Sequence, residues 1–160
     1  MITLHNVYTD VHATDFLYDL LKERSSENDP HMNISHRRLP SWGDHVHFVQ
    51  SFPYRAWYLI GYREAAPDAQ KLVWAGYVSA TPRNEIGVII SKPYRRMGIA
   101  RAAIQQFMAL HKPLPAVPSV RSGDWLANIN PKNEASIKLF SSLGFGHLQN
   151  TYSLPGGNHG

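Results

Sequence analysis

Glu85-Ile86-Gly87-Val88-Ile89-Ile90-Ser91-Lys92-Pro93-Tyr94-Arg95-Arg96-Met97-Gly98-Ile99-Ala100-Arg101 is the stretch on which the rest of the chain hangs. Its uncharged apolar run predicts a buried strand, and the basic, glycine-containing segment that follows predicts a turn opening directly into a helix. A helix that starts this way exposes unpaired backbone N–H groups and the positive end of its dipole, which suits phosphate or another anion. Arg101 would sit in the first helical turn, where a cation opposes the dipole by a few tenths of a kcal/mol. An anionic ligand reverses that cost. The alternative is a solvated basic turn in which Gly98 serves only to reverse the chain.

Working outward, Ala56–Arg63 and Lys71–Thr81 predict two strands joined through a turn at Pro67-Asp68, and Pro82-Arg83-Asn84 turns the second into the Ile86–Ile90 strand. These three form an antiparallel meander. On the N-terminal side, Met1–Val7 predicts an edge strand, and Ala13, Phe16, Leu17, Leu20 and Leu21 lie at helical spacing. Residues 24–40 read as a long polar loop, after which Ser41 has the character of an N-cap for a short helix carrying Trp42, His45, Val46 and Val49.

On the C-terminal side, Ala100, Ala103, Ile104, Phe107 and Met108 keep one helical face until Pro113 stops the pattern. Trp125–Ile129 predicts a strand, Asn130-Pro131 a helix entry, and Gly144-Phe145 the left-handed stop of that helix. Phe145–Leu154 predicts one or two final strands. The order implies an α+β, or mixed α/β, sandwich around one sheet. Residues 1–155 are expected to form a single domain, with 156–160 as a flexible tail.

At 43% hydrophobic and 18% charged, the composition is that of an ordinary globular protein, and no apolar run approaches the roughly 20 residues that span a bilayer. Asp10, Asp15 and Asp19 stand where a secretory signal would need a basic segment, so none is expected. The absence of Cys removes disulfides, thiolate ligands and a Cys nucleophile, and fits a cytoplasmic location. A net charge of +4 favours an anionic ligand but is too small to imply nucleic acid. Nine His form no set with metal-ligand spacing, and no metal is expected.

Arg95-Arg96-Met97-Gly98-Ile99-Ala100 resembles the Q/R-x-x-G-x-G/A pyrophosphate loop of the GNAT superfamily of acyl-CoA N-acyltransferases. The block Asn130-Pro131-Lys132-Asn133-Glu134-Ala135-Ser136-Ile137-Lys138-Leu139-Phe140-Ser141-Ser142-Leu143-Gly144-Phe145 is similar to that family's N-x-x-S-x-x-L-[YF]-x-x-x-G-F segment. The two blocks together cover residues 71–149. Residues 1–70, the half that normally builds the acceptor site, match only in element order.

The resemblance implies a mostly antiparallel, partly splayed sheet of about six to seven strands flanked by about four helices. It implies acetyl-CoA as co-substrate and direct attack by a primary amine in a ternary complex. It places the cofactor against Ile89, Ile90, Arg95, Arg96, Met97, Gly98, Ile99, Ala100, Arg101 and Asn133. A backbone N–H near Ile89 or Ile90, where the family's strand bulges, would polarise the thioester carbonyl. Asn133 is open between a cofactor contact and a helix cap.

A primary ammonium with a pKa of about 10.4 is mostly protonated at neutral pH, so a base or a water relay must help. The resemblance points to Glu85 for that role; a strand-end carboxylate paired with Arg83 is the alternative. Many members carry a Tyr where this chain has Phe140, which has no proton to give. Ser136, on an otherwise apolar helix face, is then the candidate donor to the leaving thiolate, or its hydroxyl bonds a preceding carbonyl of its own helix.

Acceptor-binding elements are expected around residues 33–38 with His45, Trp42 and Tyr54. His36 and Arg37, beside Arg38, favour a small anionic or nucleotide-linked amine, the alternative being a solvated basic loop. Acetylation of a protein N-terminus or of a nucleic-acid-borne amine, and a catalytically inactive CoA-binding interaction domain, are the other readings. Trp57 or Tyr58, if exposed, would serve a homodimer.

Overall fold

The computed structural model describes residues 1–26, 38–64 and 71–157. Four strands, β1 (Ile2–Asn6), β2 (Ala56–Arg63), β3 (Leu72–Ala80) and β4 (Ile86–Ile90), form one antiparallel sheet in sequence order. Among the described residues four helices accompany it: α1 (Ala13–Ser26), α2 (Trp42–Gln50), α3 (Ile99–Leu110) and α4 (Glu134–Ser142). The class is mixed α+β, as expected.

Alternation along β2 builds both layers. Ala56, Tyr58 and Ile60 face the layer of α3 and α4, with Ile99, Ala103, Ile104, Phe107 and Phe140. Trp57 and Leu59 face the layer of α1 and α2, with Ala13, Leu17 and Val49. A strand whose two faces are both buried needs no polar side, which is why β2 reads Ala-Trp-Tyr-Leu-Ile. The side-chain oxygen of Ser41 accepts from the Asp44 N–H at 3.1 Å, and a cap of this kind is worth about 1 kcal/mol.

Among the described residues the sheet has four strands, not six to seven. The expected strand at Trp125–Ile129 shrinks to a single parallel bridge, Glu85 to Leu126. Leu126 N–H donates to the Asn84 carbonyl and Ile86 N–H to the Leu126 carbonyl, both at 2.8 Å, and beyond that point the ladder stops. The expected strands within Phe145–Leu154 do not form either. Alternating Leu148, Tyr152 and Leu154 mark a face that could be buried, but they are 73–94% exposed and no neighbouring strand meets them. Apolar alternation specifies which side a strand would bury and cannot supply its partner.

The end of α4 follows expectation: Gly144 is left-handed (φ 95°), Phe145 N–H reaches the Phe140 carbonyl at 3.0 Å, and the two rings lie 5.1 Å apart. Its start does not. Asn130-Pro131 makes a turn, and α4 opens three residues later, with the Asn133 side chain accepting from Ser136 N–H at 3.1 Å. Trp57 is 3% exposed, and the half-buried Tyr58 hydroxyl bonds His111 at 2.7 Å, so neither is the open aromatic a dimer would use.

Candidate functional site

The loop between β4 and α3 is held at both ends. At its start the Glu23 carboxylate, from α1, accepts from the Ser91 hydroxyl at 2.7 Å and the Lys92 N–H at 2.5 Å. Arg95 is extended, and its Nε donates to the Ile90 carbonyl at 3.0 Å. Arg96 (φ 62°) and Gly98 (φ 75°) are both left-handed, a conformation that gathers successive N–H groups on one side of a turn and suits an anion. Gly98 also caps α3. No atom lies within 4 Å of where its Cβ would stand, so within the chain this glycine is required by its φ and not by crowding. Arg101 donates to the Ser142 hydroxyl and so ties α3 to α4.

The open edge of β4 follows from ladder parity. Thr81 N–H bonds the Glu85 carbonyl and Ser91 N–H the Ala75 carbonyl, so Gly87 and Ile89 are the residues bonded to β3. The N–H groups of Ile86, Val88 and Ile90 therefore point the other way. Ile86 is taken by Leu126; Val88 and Ile90 have no partner among the described residues. Of the two expected carbonyl-polarising positions, Ile90 keeps a free donor and Ile89 spends its own on Tyr77. The bulge also lies elsewhere. β3 pairs regularly with β4, and the irregularity is at Ala75 between β2 and β3, opposite Ile60/Gly61.

One cavity of about 1070 Å³ takes in this edge. Its wall includes Ile86–Ile90, Arg95, Arg96, Gly98–Arg101, Asn128–Asn130, Asn133, Ser136 and Phe140. Met97 is exposed outside it. Glu85 is also outside the wall: Oε1 accepts from the Thr81 hydroxyl at 3.0 Å and Oε2 from the Asn128 amide at 2.5 Å. Its partners are these two neutral donors and not Arg83. Asn128, which sequence reasoning passed over, thus stands between Glu85 and the cavity. The Ser136 hydroxyl makes no hydrogen bond with any described residue, and Phe140 is in the core at 5% exposure while also lining the wall.

His36 and Arg37 lie outside the described residues. The same cavity continues over α1 and α2, where Arg24, Arg38, Asp44, His45 and Phe48 meet Tyr54 and Trp57 of the β2 side and Tyr77 of β3. The aromatic rings pack edge to face, Tyr54 on Trp57 at 4.8 Å and Trp57 on Tyr77 at 5.8 Å. Sequence reasoning named His45 and Tyr54 here, gave Trp57 to a dimer surface instead and did not name Tyr77; strand alternation could have placed both rings on the face toward α2. His45 is 2% exposed, with Nε2 at 2.9 Å from the Thr14 carbonyl.

The family model described as the acetyltransferase (GNAT) family matches residues 15–145. The chain belongs to the GNAT acetyltransferase family. Solved structures share the fold. A domain from Methanocaldococcus jannaschii DSM 2661 is 19% identical with a TM-score of 0.70, covering 94% of this chain and 92% of that one. The ribosomal-protein-S18-alanine N-acetyltransferase from Escherichia coli is 15% identical with a TM-score of 0.54, covering 93% and 80%. A probable acetyltransferase is 17% identical with a TM-score of 0.55, covering 99% of each chain. At such identities the likeness is one of fold. Among curated proteins, none matches the chain in sequence.

GNAT membership brings with it acetyl-CoA as co-substrate and acyl transfer as the general chemistry. Among the described residues, no group of three His, Asp or Glu is placed to hold a metal ion. Nor is any described helix long and apolar enough to cross a membrane.

Proposed function

We propose that this GNAT protein is an N-acetyltransferase that moves the acetyl group of acetyl-CoA to the primary amine of a small, anionic molecule by direct attack in a ternary complex. The observation that carries it is the single cavity whose wall joins the basic loop, the outward N–H groups of Val88 and Ile90, and an aromatic end with its own arginines. The coenzyme's phosphates lie against the backbone of Arg96–Ala100, with Arg95, Arg96 and Arg101 supplying charge. The thioester oxygen takes the Val88 or Ile90 N–H, a preorganised donor whose loss in comparable sites costs about 2.7–4 kcal/mol. Arg24 and Arg38 favour a carboxylate or phosphate on the acceptor.

Glu85 holds the Asn128 amide in one orientation, its N–H on the carboxylate and its oxygen free for the acceptor. Ser136 is the hydroxyl available to the leaving thiolate. A thiolate with a pKa of about 8.5 leaves tolerably without an acid, which fits Phe140 in place of a Tyr. The test is calorimetric titration with acetyl-CoA, followed by thiol release with amino sugar phosphates, aromatic amines and peptides with free N-termini. Wild type should bind, and Arg96→Glu should bind at least tenfold more weakly. Equal binding by the variant would refute the loop assignment; tight binding with no turnover on any amine would make this a cofactor-binding domain without catalysis.

A further inference from the structure

The sheet face toward α1 and α2 carries a slot that runs to the open edge of β4. Strand pairing fixes its rows: Trp57, Ser79 and Gly87 stand side by side across β2, β3 and β4, and Leu59, Tyr77 and Ile89 form the next row. Side chains paired in this way share a face. Trp57, Leu59 and Tyr77 belong to the layer of α1 and α2, so Gly87 and Ile89 face it too. Gly87 has no side chain, and a Cβ there would stand 3.2 Å from the Ser79 hydroxyl oxygen. The first row is therefore low where it meets the edge, with Ile89 and Tyr77 along one flank and Trp57 at its inner end.

These walls are open to the cavity. Gly87, Ile89 and Tyr77 are half-buried and all three line it. Phe48, 47% exposed, and the half-buried Tyr54 continue the aromatic wall, their centroids 6.1 and 4.8 Å from that of Trp57. Aromatic surface left accessible in a cavity favours a ligand that covers it with a ring of its own. The slot also reaches the transfer point. Val88 and Ile90, whose N–H groups point out of the sheet edge, flank Ile89, and Ile89 is paired with Tyr77. Adjacent strands lie about 4.8 Å apart, so Tyr77 stands one strand spacing in from those donors. That is the scale of the gap between a primary amine and the centre of a ring one or two carbons away.

Resting on the acetyltransferase reading above, we propose that the acceptor is a primary amine with an aromatic ring one or two carbons from its nitrogen. The ring lies over Gly87 against Tyr77, and the nitrogen stands at the edge of β4 beside the acetyl carbonyl. An acid group on the far side of the ring is left for the arginines at that end of the cavity. A sugar or a linear chain would leave the Tyr77 surface uncovered, so Tyr77 and Gly87 set the choice of acceptor.

The test uses the full chain, acetyl-CoA and three amines that each carry an acid group: 4-(aminomethyl)benzoate, 6-aminohexanoate and glucosamine 6-phosphate. Thiol release should give the benzoate a kcat/KM about tenfold or more above the other two. Tyr77→Leu keeps apolar bulk but removes the ring, and should cut the preference for the benzoate over the hexanoate about fivefold. Comparing that ratio between wild type and variant cancels what the amines' different basicities do to the rates. Phe48→Ala, at an exposed position, should cut it about threefold and carries the test if Tyr77→Leu does not fold. Acetyl-CoA affinity in calorimetry should stay within about twofold of wild type in both. A wild type that takes the chain or the sugar as readily as the ring, or a preference that the folded variants leave unmoved, would overturn the proposal. A wild type that binds acetyl-CoA but acetylates none of the three also overturns it, leaving the donor site intact. Failure of wild type to bind acetyl-CoA would instead overturn the acetyltransferase reading itself.

Discussion

Asn84 should be the costliest single polar side chain to remove from this chain. It is fully buried and left-handed (φ 64°) in the turn between β3 and β4. Its Nδ2 donates to the Leu114 carbonyl at 3.0 Å, its Oδ1 accepts from Leu114 N–H at 2.7 Å, and its own carbonyl takes Leu126 N–H. Asn84→Ala removes both side-chain bonds. Leu114 is half-buried, so water reaches its orphaned groups in part, and about 1–1.5 kcal/mol per bond is the right scale. Forcing Ala into the left-handed region adds about 1 kcal/mol.

The sum is about 3–4 kcal/mol, a large share of the 5–15 kcal/mol on which a domain of this kind stands. Asn84→Gly keeps the backbone conformation free of strain and should lose about 1 kcal/mol less. Urea unfolding with an unchanged slope would read both values, and the midpoint temperature of Asn84→Ala should fall by about 6–16 °C. An Asn84→Ala within 1 kcal/mol of wild type would refute the reasoning, as would an Asn84→Gly no better than Asn84→Ala.

Glu23→Ala strips the Ser91 and Lys92 anchors from the phosphate loop. Two charge-assisted bonds at a partly exposed site are worth about 2 kcal/mol together, so acetyl-CoA affinity should drop several-fold in calorimetry, with Glu23→Gln between the two. The His111 imidazole is held below its ordinary value, first by burial and then by the nearby Arg55 charge. Its folded form therefore binds fewer protons than the unfolded chain, so stability is present above about pH 6.5 and is lost as pH falls through the lower folded value. Urea midpoints from pH 8 to 5 should decline in wild type and decline less in His111→Gln; parallel curves would reject the assignment.

Elements whose cause is local were legible in the residues. Ser41 before α2, the Gly144-Phe145 stop of α4, and the strand, basic turn and helix from Glu85 to Arg101 all stand where their own side chains put them. What depends on a distant partner was not. Asn84 looks like an ordinary turn residue until Leu114 is brought beside it, thirty positions on. Glu85 reads as a base or as a partner of Arg83, and only the fold supplies Thr81 and Asn128. Helix entry at Asn130 failed because Asn133 competes for the same role with a better-placed side chain, three residues before the N–H it accepts from.

The largest departure from expectation, the missing fifth strand, is also what makes a site possible. Had Trp125–Ile129 paired along all of β4, the Val88 and Ile90 N–H groups would have been consumed by the ladder, and Asn128–Asn130 would have closed the gap. One bridge at Leu126 fixes the two segments at one end, and Arg95 takes the Ile90 carbonyl at the other. Between these pins two backbone donors remain on a wall of a large cavity. Donors left out of a ladder forgo its hydrogen bonds, and the remaining pairs, the Asn84 hub and the two-sided core of β2 hold the frame around them. Closing the splay should therefore stabilise the protein and abolish transfer together. A disulfide between substituted cysteines at Val88 and Asn128 that raised the unfolding temperature without reducing turnover would disprove this account of the site.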